Sequence, residues 1–337
     1  VEQKDREAMT PQERKASVTR TMGSLFTGGG GWEAGAQEAG IVPVFGVEMD
    51  EAVAAHYAST FGPHVIVGSV TDVAWSKLQH VDVLTSSPPC QPTSNAGKQA
   101  RALREVRGVV TDDEGEGSFC DPRVGLATLD AAKALTPSAV IVENSANYIG
   151  TEVFRRLREG LEALGYATSV KVLDAANYGV ASGRERTILR AARSKVVSPW
   201  PRETPRVSWL SQIADLIPSM PPVYLAPWQA KALQDNPPPA GVPVLIAGGN
   251  PSRNAHGYVV HRTPEQTAWT TQKTKNTTGM RLRDANGTVR LMSKRAIARL
   301  QGFPDSYPLP ESRTLAIHIL GNSIPPRFAR ALLESVP

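Results

Sequence analysis

Cys90 follows two prolines in Ser86-Ser87-Pro88-Pro89-Cys90-Gln91. The preceding run Val81-Asp82-Val83-Leu84 predicts a short buried strand. Two prolines then end the strand and force an extended turn. A cysteine on a rigid turn at a strand end is exposed and aimed, which is the geometry a nucleophile needs. The other cysteine, Cys120, lies in a polar stretch from Pro92 to Pro122 with no rigid turn around it. That stretch is long enough to be a lid over a substrate beside Cys90, or a solvated insertion. Farther on, the apolar run Ala139-Val140-Ile141-Val142 ends in Glu143-Asn144. A carboxylate at the carboxyl end of a buried parallel strand lies where α/β sheets bind ligands.

A second constellation lies near the amino end. Ser24-Leu25-Phe26 enters Thr27-Gly28-Gly29-Gly30-Gly31-Trp32, a strand, glycines and a helix in the order that cradles a cofactor. The next strand, Val42 to Val47, is closed by Glu48, an acid placed to take a pair of ribose hydroxyls. Glu33 stands where the dinucleotide fingerprint has its third glycine. A nucleoside cofactor other than a dinucleotide therefore fits better.

Strands alternating with helices must position these groups. Helical spacing runs from Asp50 to Phe61, from Val124 to Leu135 and from Thr151 to Leu164. Strands are expected between them, giving an α/β fold with a doubly wound, mostly parallel sheet. Near Val196 the composition shifts: prolines and Trp200, Trp209, Trp228 and Trp269 crowd the chain up to about Arg281. A small irregular second domain with short strands fits that stretch. The expected division is 1–195, with 1–20 as a mobile leader, then 196–281, then 282–337 returning to the first domain. A hairpin is predicted to turn at Asn286-Gly287, and a last helix spans Pro326 to Glu334.

The 337 residues carry a net charge of +5, which suits a polyanionic partner. Two distant cysteines argue against a disulfide scaffold. The charged, polar start is unlike a signal peptide, and no apolar run approaches the ~18 residues of a membrane span. No metal site is expected.

Taken in order, these pieces resemble the DNA (cytosine-5) methyltransferases. The matches are Phe26 to Gly31, Glu48, Pro89-Cys90-Gln91, Glu143-Asn144, Arg184-Glu185-Arg186, Arg299-Leu300-Gln301-Gly302-Phe303-Pro304 and Gly321-Asn322-Ser323-Ile324-Pro325-Pro326. They cover nearly the whole chain. The resemblance implies a Rossmann-like catalytic domain that uses S-adenosylmethionine, with a target-recognition domain at 196–281. Phe26, Gly28, Gly30, Gly31, Glu48, Met49, Val70, Pro88, Asn322 and Ser323 would hold the cofactor. Cys90 would be the nucleophile. Glu143 would hold the flipped cytosine, and Arg184 and Arg186 would hold its carbonyl oxygen and Glu143. Gln91 and Ser94 would border DNA. The implied partner is duplex DNA, bound by a monomer with no membrane association. The implied setting is the cytoplasm of a bacterial or phage-infected cell, at the nucleoid.

Five positions depart from the family pattern. Ser24 and Ser69 replace acids on the cofactor side, and Thr93, Ser145 and Ser182 replace other supporting residues. Two other functions stay open on these residues. One is a catalytically silent DNA-binding relative. The other is the same scaffold acting on RNA or transferring another group.

Overall fold

The computed structural model describes residues 19–89, 122–194, 197–225, 227–248, 259–265 and 280–337. Residues 1–18 of the expected leader, Cys90, Gln91, Ser94 and Cys120 lie outside the described residues.

The first half alternates strand and helix: β1 (Thr21–Leu25), α1 (Gly31–Glu38), β2 (Val42–Glu48), α2 (Glu51–Phe61), β3 (Val65–Val67), β4 (Val83–Ser86), α3 (Pro122–Leu135), β5 (Ala139–Ser145), α4 (Glu152–Ala163), β6 (Ala167–Asp174) and β7 (Glu185–Ala192). Local signals set the helix ends. Asp50 caps α2 by accepting from the Ala52 and Val53 amides, and Gly62 stops it at φ 106°. Thr151 caps α4 through the Phe154 amide.

These strands form one seven-stranded sheet in the order β3-β2-β1-β4-β5-β7-β6. Every pair up to β5 is parallel, whereas β7 runs antiparallel to both β5 and β6. The order reverses beside β1, so the switch point lies between the first and fourth strands. One face is covered by α3 and α4, whose Leu135, Leu157 and Leu161 share a core with Leu84 and Val140 of the sheet. The other carries α1 and α9 (Pro326–Glu334), whose Trp32 and Phe328 share a core with Met22 and Ile141 of the sheet.

The expected strand at Val81–Leu84 sits two residues later, at Val83–Ser86. Polar residues continue it because their hydroxyls are paired inside the fold. Thr85 shares a 2.6 Å hydrogen bond with Ser24, and Ser86 a 2.9 Å one with Thr128. Ser24 thus has a buried partner on the neighbouring strand.

A second, four-stranded antiparallel sheet has the order β11-β10-β8-β9, from β8 (Val244–Gly248), β9 (Val259–Arg262), β10 (Arg281–Arg283) and β11 (Val289–Leu291). The hairpin between β10 and β11 turns through Gly287 at φ 87°, with the Asp284 carboxylate accepting the Asn286 and Thr288 amides. The expected division at 281 falls at the first residue of this hairpin. The helices here are short, α5 (Trp209–Ile213) and α6 (Pro227–Asp235). Then come α7 (Lys294–Leu300) and α8 (Arg313–Asn322). Leu245 and Leu282 of the second sheet share a core with Trp209, Ile297, Phe303, Tyr307 and Leu320. Arg299 of α7 bridges Asp215 and Asp305, tying the segment after α5 to the segment after α7.

Candidate active site

Register brings the predicted residues into one line. Val47, Leu25, Ser86 and Val142 sit side by side on four parallel strands. The next residue on each strand is Glu48, Phe26, Ser87 and Glu143. Three inter-strand steps separate the two carboxylates, about 14 Å. That spacing sets Glu48 toward one end of the sheet's carboxyl edge and Glu143 toward the other.

At the first end, Phe26 is held at φ 57°, an uncommon conformation for a bulky side chain. It bends the chain into the glycine turn, where the Gly30 amide donates to Thr27 and α1 begins. The glycines serve different purposes. A Cβ on Gly29, Gly30 or Gly31 would strike Ile319, Phe61 or the Ile324 carbonyl, each at 2.1–2.2 Å. Those three make room for the protein itself. Gly28, at φ 55°, would meet nothing within 4 Å, so it borders open space.

The Glu48 carboxylate accepts the Gly28 amide at 3.0 Å and the Asp50 amide at 2.9 Å, one on each oxygen. Burial pushes its pKa up, while these amides pull the other way. Each oxygen keeps acceptor capacity for a further donor. Met49 and Val67 are exposed apolar side chains beside it, and Gly68 leaves a second gap with nothing within 4 Å of its would-be Cβ. Val70 is buried behind them. Open glycines, exposed apolar side chains and an acid with free lone pairs fit a nucleoside with ribose hydroxyls. S-adenosylmethionine has that chemistry. Ser69 caps the turn 70–72 by accepting from the Thr71 amide, and its hydroxyl also bonds Thr71.

At the other end, Glu143 is 4% exposed. Its Oε1 lies 2.8 Å from Nε of Arg186, on the adjacent antiparallel strand. The pairing of Ser145 with Arg186 across β5 and β7 puts the guanidinium there. Arg184, two residues earlier, does something else. Its Nη1 donates to the Gly321 carbonyl at 3.1 Å, and its amide donates to Asp174. Arg186 therefore meets Glu143, while Arg184 anchors the segment that carries Asn322 and Ser323. The Asn322 side chain bonds His318, and the Ser323 hydroxyl donates to Ile319, closing α8.

Pro88 is buried, and its carbonyl accepts from Asn144 Nδ2 at 2.9 Å. Trp32 Nε1 donates to the Ser87 hydroxyl at 3.0 Å. The turn that leads to Cys90 is thus clamped from β5 and from α1. The sequence places Asn144 beside Glu143 and Trp32 after the glycines, whereas their bonds to the Pro88 carbonyl and the Ser87 hydroxyl are set by the tertiary fold. Glu33 was legible only as a break in a glycine pattern. It is fully buried at the third position of α1, its Oε1 accepting the Thr27 hydroxyl at 2.6 Å and its Oε2 with no hydrogen-bond partner. Burial raises its pKa.

Among the described residues, no group of three or more His, Cys, Asp or Glu could hold a metal ion. No described helix is long and apolar enough to cross a membrane.

The chain resembles Type II methyltransferases along most of its length. It is 25% identical to M.BsuFI of Bacillus subtilis over 321 residues, covering 93% of this chain and 71% of the relative. It is 28% identical to M.AplI of Arthrospira platensis over 331 residues, covering 93% and 84%. Among solved structures, the fold matches the Dnmt2 methyltransferase of S. pombe with a TM-score of 0.61 at 14% identity, covering 93% of this chain and 97% of that one. The family model for C-5 cytosine-specific DNA methylase matches residues 20–337, and the chain belongs to that family of enzymes.

Proposed function

We propose that the protein transfers a methyl group to carbon 5 of cytosine in duplex DNA, with the target base flipped out of the helix. The observation that carries this is the buried Glu143 carboxylate paired with the partly exposed Arg186, 2.8 Å apart, beside the clamped turn that precedes Cys90. Carbon 5 of cytosine is a weak nucleophile. A thiolate adding at carbon 6 makes the ring enamine-like, with electron density at carbon 5. Cysteine suits this step because a few per cent of a free thiol is already thiolate at neutral pH. Glu143 would hold ring nitrogen 3 and the exocyclic amino group, and would share the proton that the adduct needs at nitrogen 3. Arg186 would keep that carboxyl oriented and face the base's carbonyl oxygen. Arg184 supports the same pocket from behind, through Gly321.

Glu48, Met49, Val70, Phe26 and Gly28 would hold S-adenosylmethionine, with Asn322 and Ser323 closing the methionine side. Bound there, it would supply an electrophilic methyl sulfonium. The stretch from 196 to 281 would read the DNA sequence, since base readout needs a few side chains at base edges. Flipping the base costs roughly a few kcal/mol, which such contacts must offset.

The test uses duplex DNA with 5-fluorocytosine at the methylated position, found first by sequencing 5-methylcytosine in cells expressing the protein. After methyl transfer the carbon 5 hydrogen must leave before the thiolate is expelled. Fluorine blocks that loss, so a covalent complex should persist on a denaturing gel. Cys90→Ser should abolish it, and Cys120→Ser should not. No adduct on the correct duplex would favour a silent DNA-binding relative.

A further inference from the structure

The last segment of the chain reaches under the glycine turn. Tyr307 is 4% exposed, and its phenol donates to the Gly29 carbonyl at 2.6 Å, across 278 positions of sequence. His56 Nε2, from α2, lies 3.0 Å from the same phenol oxygen. A phenol has one proton to give, and Gly29 takes it, so His56 donates through Nε2. The Tyr307 ring is wedged among Phe303, His56 and Phe61, at centroid distances of 4.5, 5.6 and 6.3 Å. The turn is moulded on this segment as well. A Cβ at Gly29 would come 2.1 Å from Ile319 and 3.0 Å from the Tyr307 oxygen. Phe303 and Tyr307 share their core with Leu245 and Leu282 of the second sheet.

Building on the cofactor site proposed above, we infer that Tyr307 is a positioning residue for S-adenosylmethionine. It fixes the Gly29 peptide, so that the turn from Phe26 to Gly31 is shaped before the cofactor arrives. A hydrogen bond that orders a turn in advance lowers the ordering cost of binding. Because Tyr307 is rooted in the core shared with the second sheet, cofactor affinity would also depend on how that sheet is docked.

Tyr307→Phe removes one oxygen and keeps the ring in place. The full-length variant should bind S-adenosylmethionine about fivefold more weakly by calorimetry, the effect of one hydrogen bond. The KM for the cofactor should rise by a similar factor at unchanged kcat, and affinity for duplex DNA without cofactor should stay within about twofold. Hydrogen exchange in the cofactor-free protein should quicken in the peptide spanning 26–32 and not in β5. If Phe destabilises the whole protein, His56→Ala provides the second variant. It leaves the Tyr307 phenol donating to the Gly29 carbonyl, removes the outer donor, and should give a smaller loss in the same direction. Wild-type binding with unchanged affinity and unchanged exchange in Tyr307→Phe would overturn this inference alone. Failure of the wild type to bind S-adenosylmethionine would overturn the cofactor site and the inference together.

Discussion

Glu143 and Glu48 each stand one residue past the same in-register row of strands, yet one is held by a side chain and the other by main chain. Arg186 locks Glu143 from the neighbouring strand, in a place almost closed to solvent. Glu48 is held by the Asp50 amide of its own turn and the Gly28 amide of the glycine turn after β1, and keeps lone pairs toward open space. The contrast follows from what surrounds each strand end. β5 lies between β4 and the antiparallel β7, which can deliver a side chain from its amino end. β2 has only parallel neighbours, whose carboxyl ends point the same way and deliver loops. An antiparallel neighbour builds a preset, paired carboxylate suited to one reacting ring. A parallel neighbourhood leaves a carboxylate suited to a ligand that brings its own donors.

The largest effect should come at the paired end. Glu143→Gln keeps the shape but cannot share a proton, so single-turnover methylation should slow by roughly 10²- to 10⁴-fold, the range for a lost acid–base group. Near-normal rates would mean that Glu143 is only a binding group. Next, Arg186→Ala strands a buried carboxylate and should cost about 3 kcal/mol of stability in urea unfolding. The double variant with Glu143→Gln should recover much of that loss, because the stranded charge is gone. Strict additivity would contradict a coupled pair.

At the open end, Glu48→Ala should weaken S-adenosylmethionine roughly 10- to 100-fold by calorimetry, the worth of one or two bonds to a charged acceptor. DNA affinity should hardly move. Loss of DNA binding of the same size would erase the distinction between the two ends.

The smallest effect concerns Glu33, buried between them. Burial raises its pKa above the ordinary 4.5, so the folded state holds its proton more tightly than the unfolded state does. The stability linked to that proton is fully present below about pH 4.5 and is lost as pH rises through the folded-state value. Glu33→Gln keeps an acceptor for Thr27 and has no such loss. Relative to wild type it should therefore gain stability as pH is raised, seen as a rising difference in urea midpoint. A difference that is flat with pH would show that the fold does not raise the Glu33 pKa.

The alternation of apolar runs and helical stripes determined the α/β class, because short apolar runs and 3.6-residue stripes each have few ways to be buried. The placement of Glu48 and Glu143 was legible too, since each follows a buried apolar run near the carboxyl end of its strand. Arg186 and Arg184 looked alike as members of one tripeptide, whereas strand pairing sent one to Glu143 and the other to Gly321. The glycine run suggested a cradle, but packing alone assigned Gly28 to open space and Gly29, Gly30 and Gly31 to contacts with distant segments. Ser24 looked like a missing acid until Thr85 was found opposite it. Tyr307, Asn144 and Trp32 act on residues 278, 56 and 55 positions away, respectively. Local sequence determines where strands end and which groups stand there. Which groups meet is decided by register and by the return of the chain, since a hydrogen bond depends on distance in space and not along the sequence.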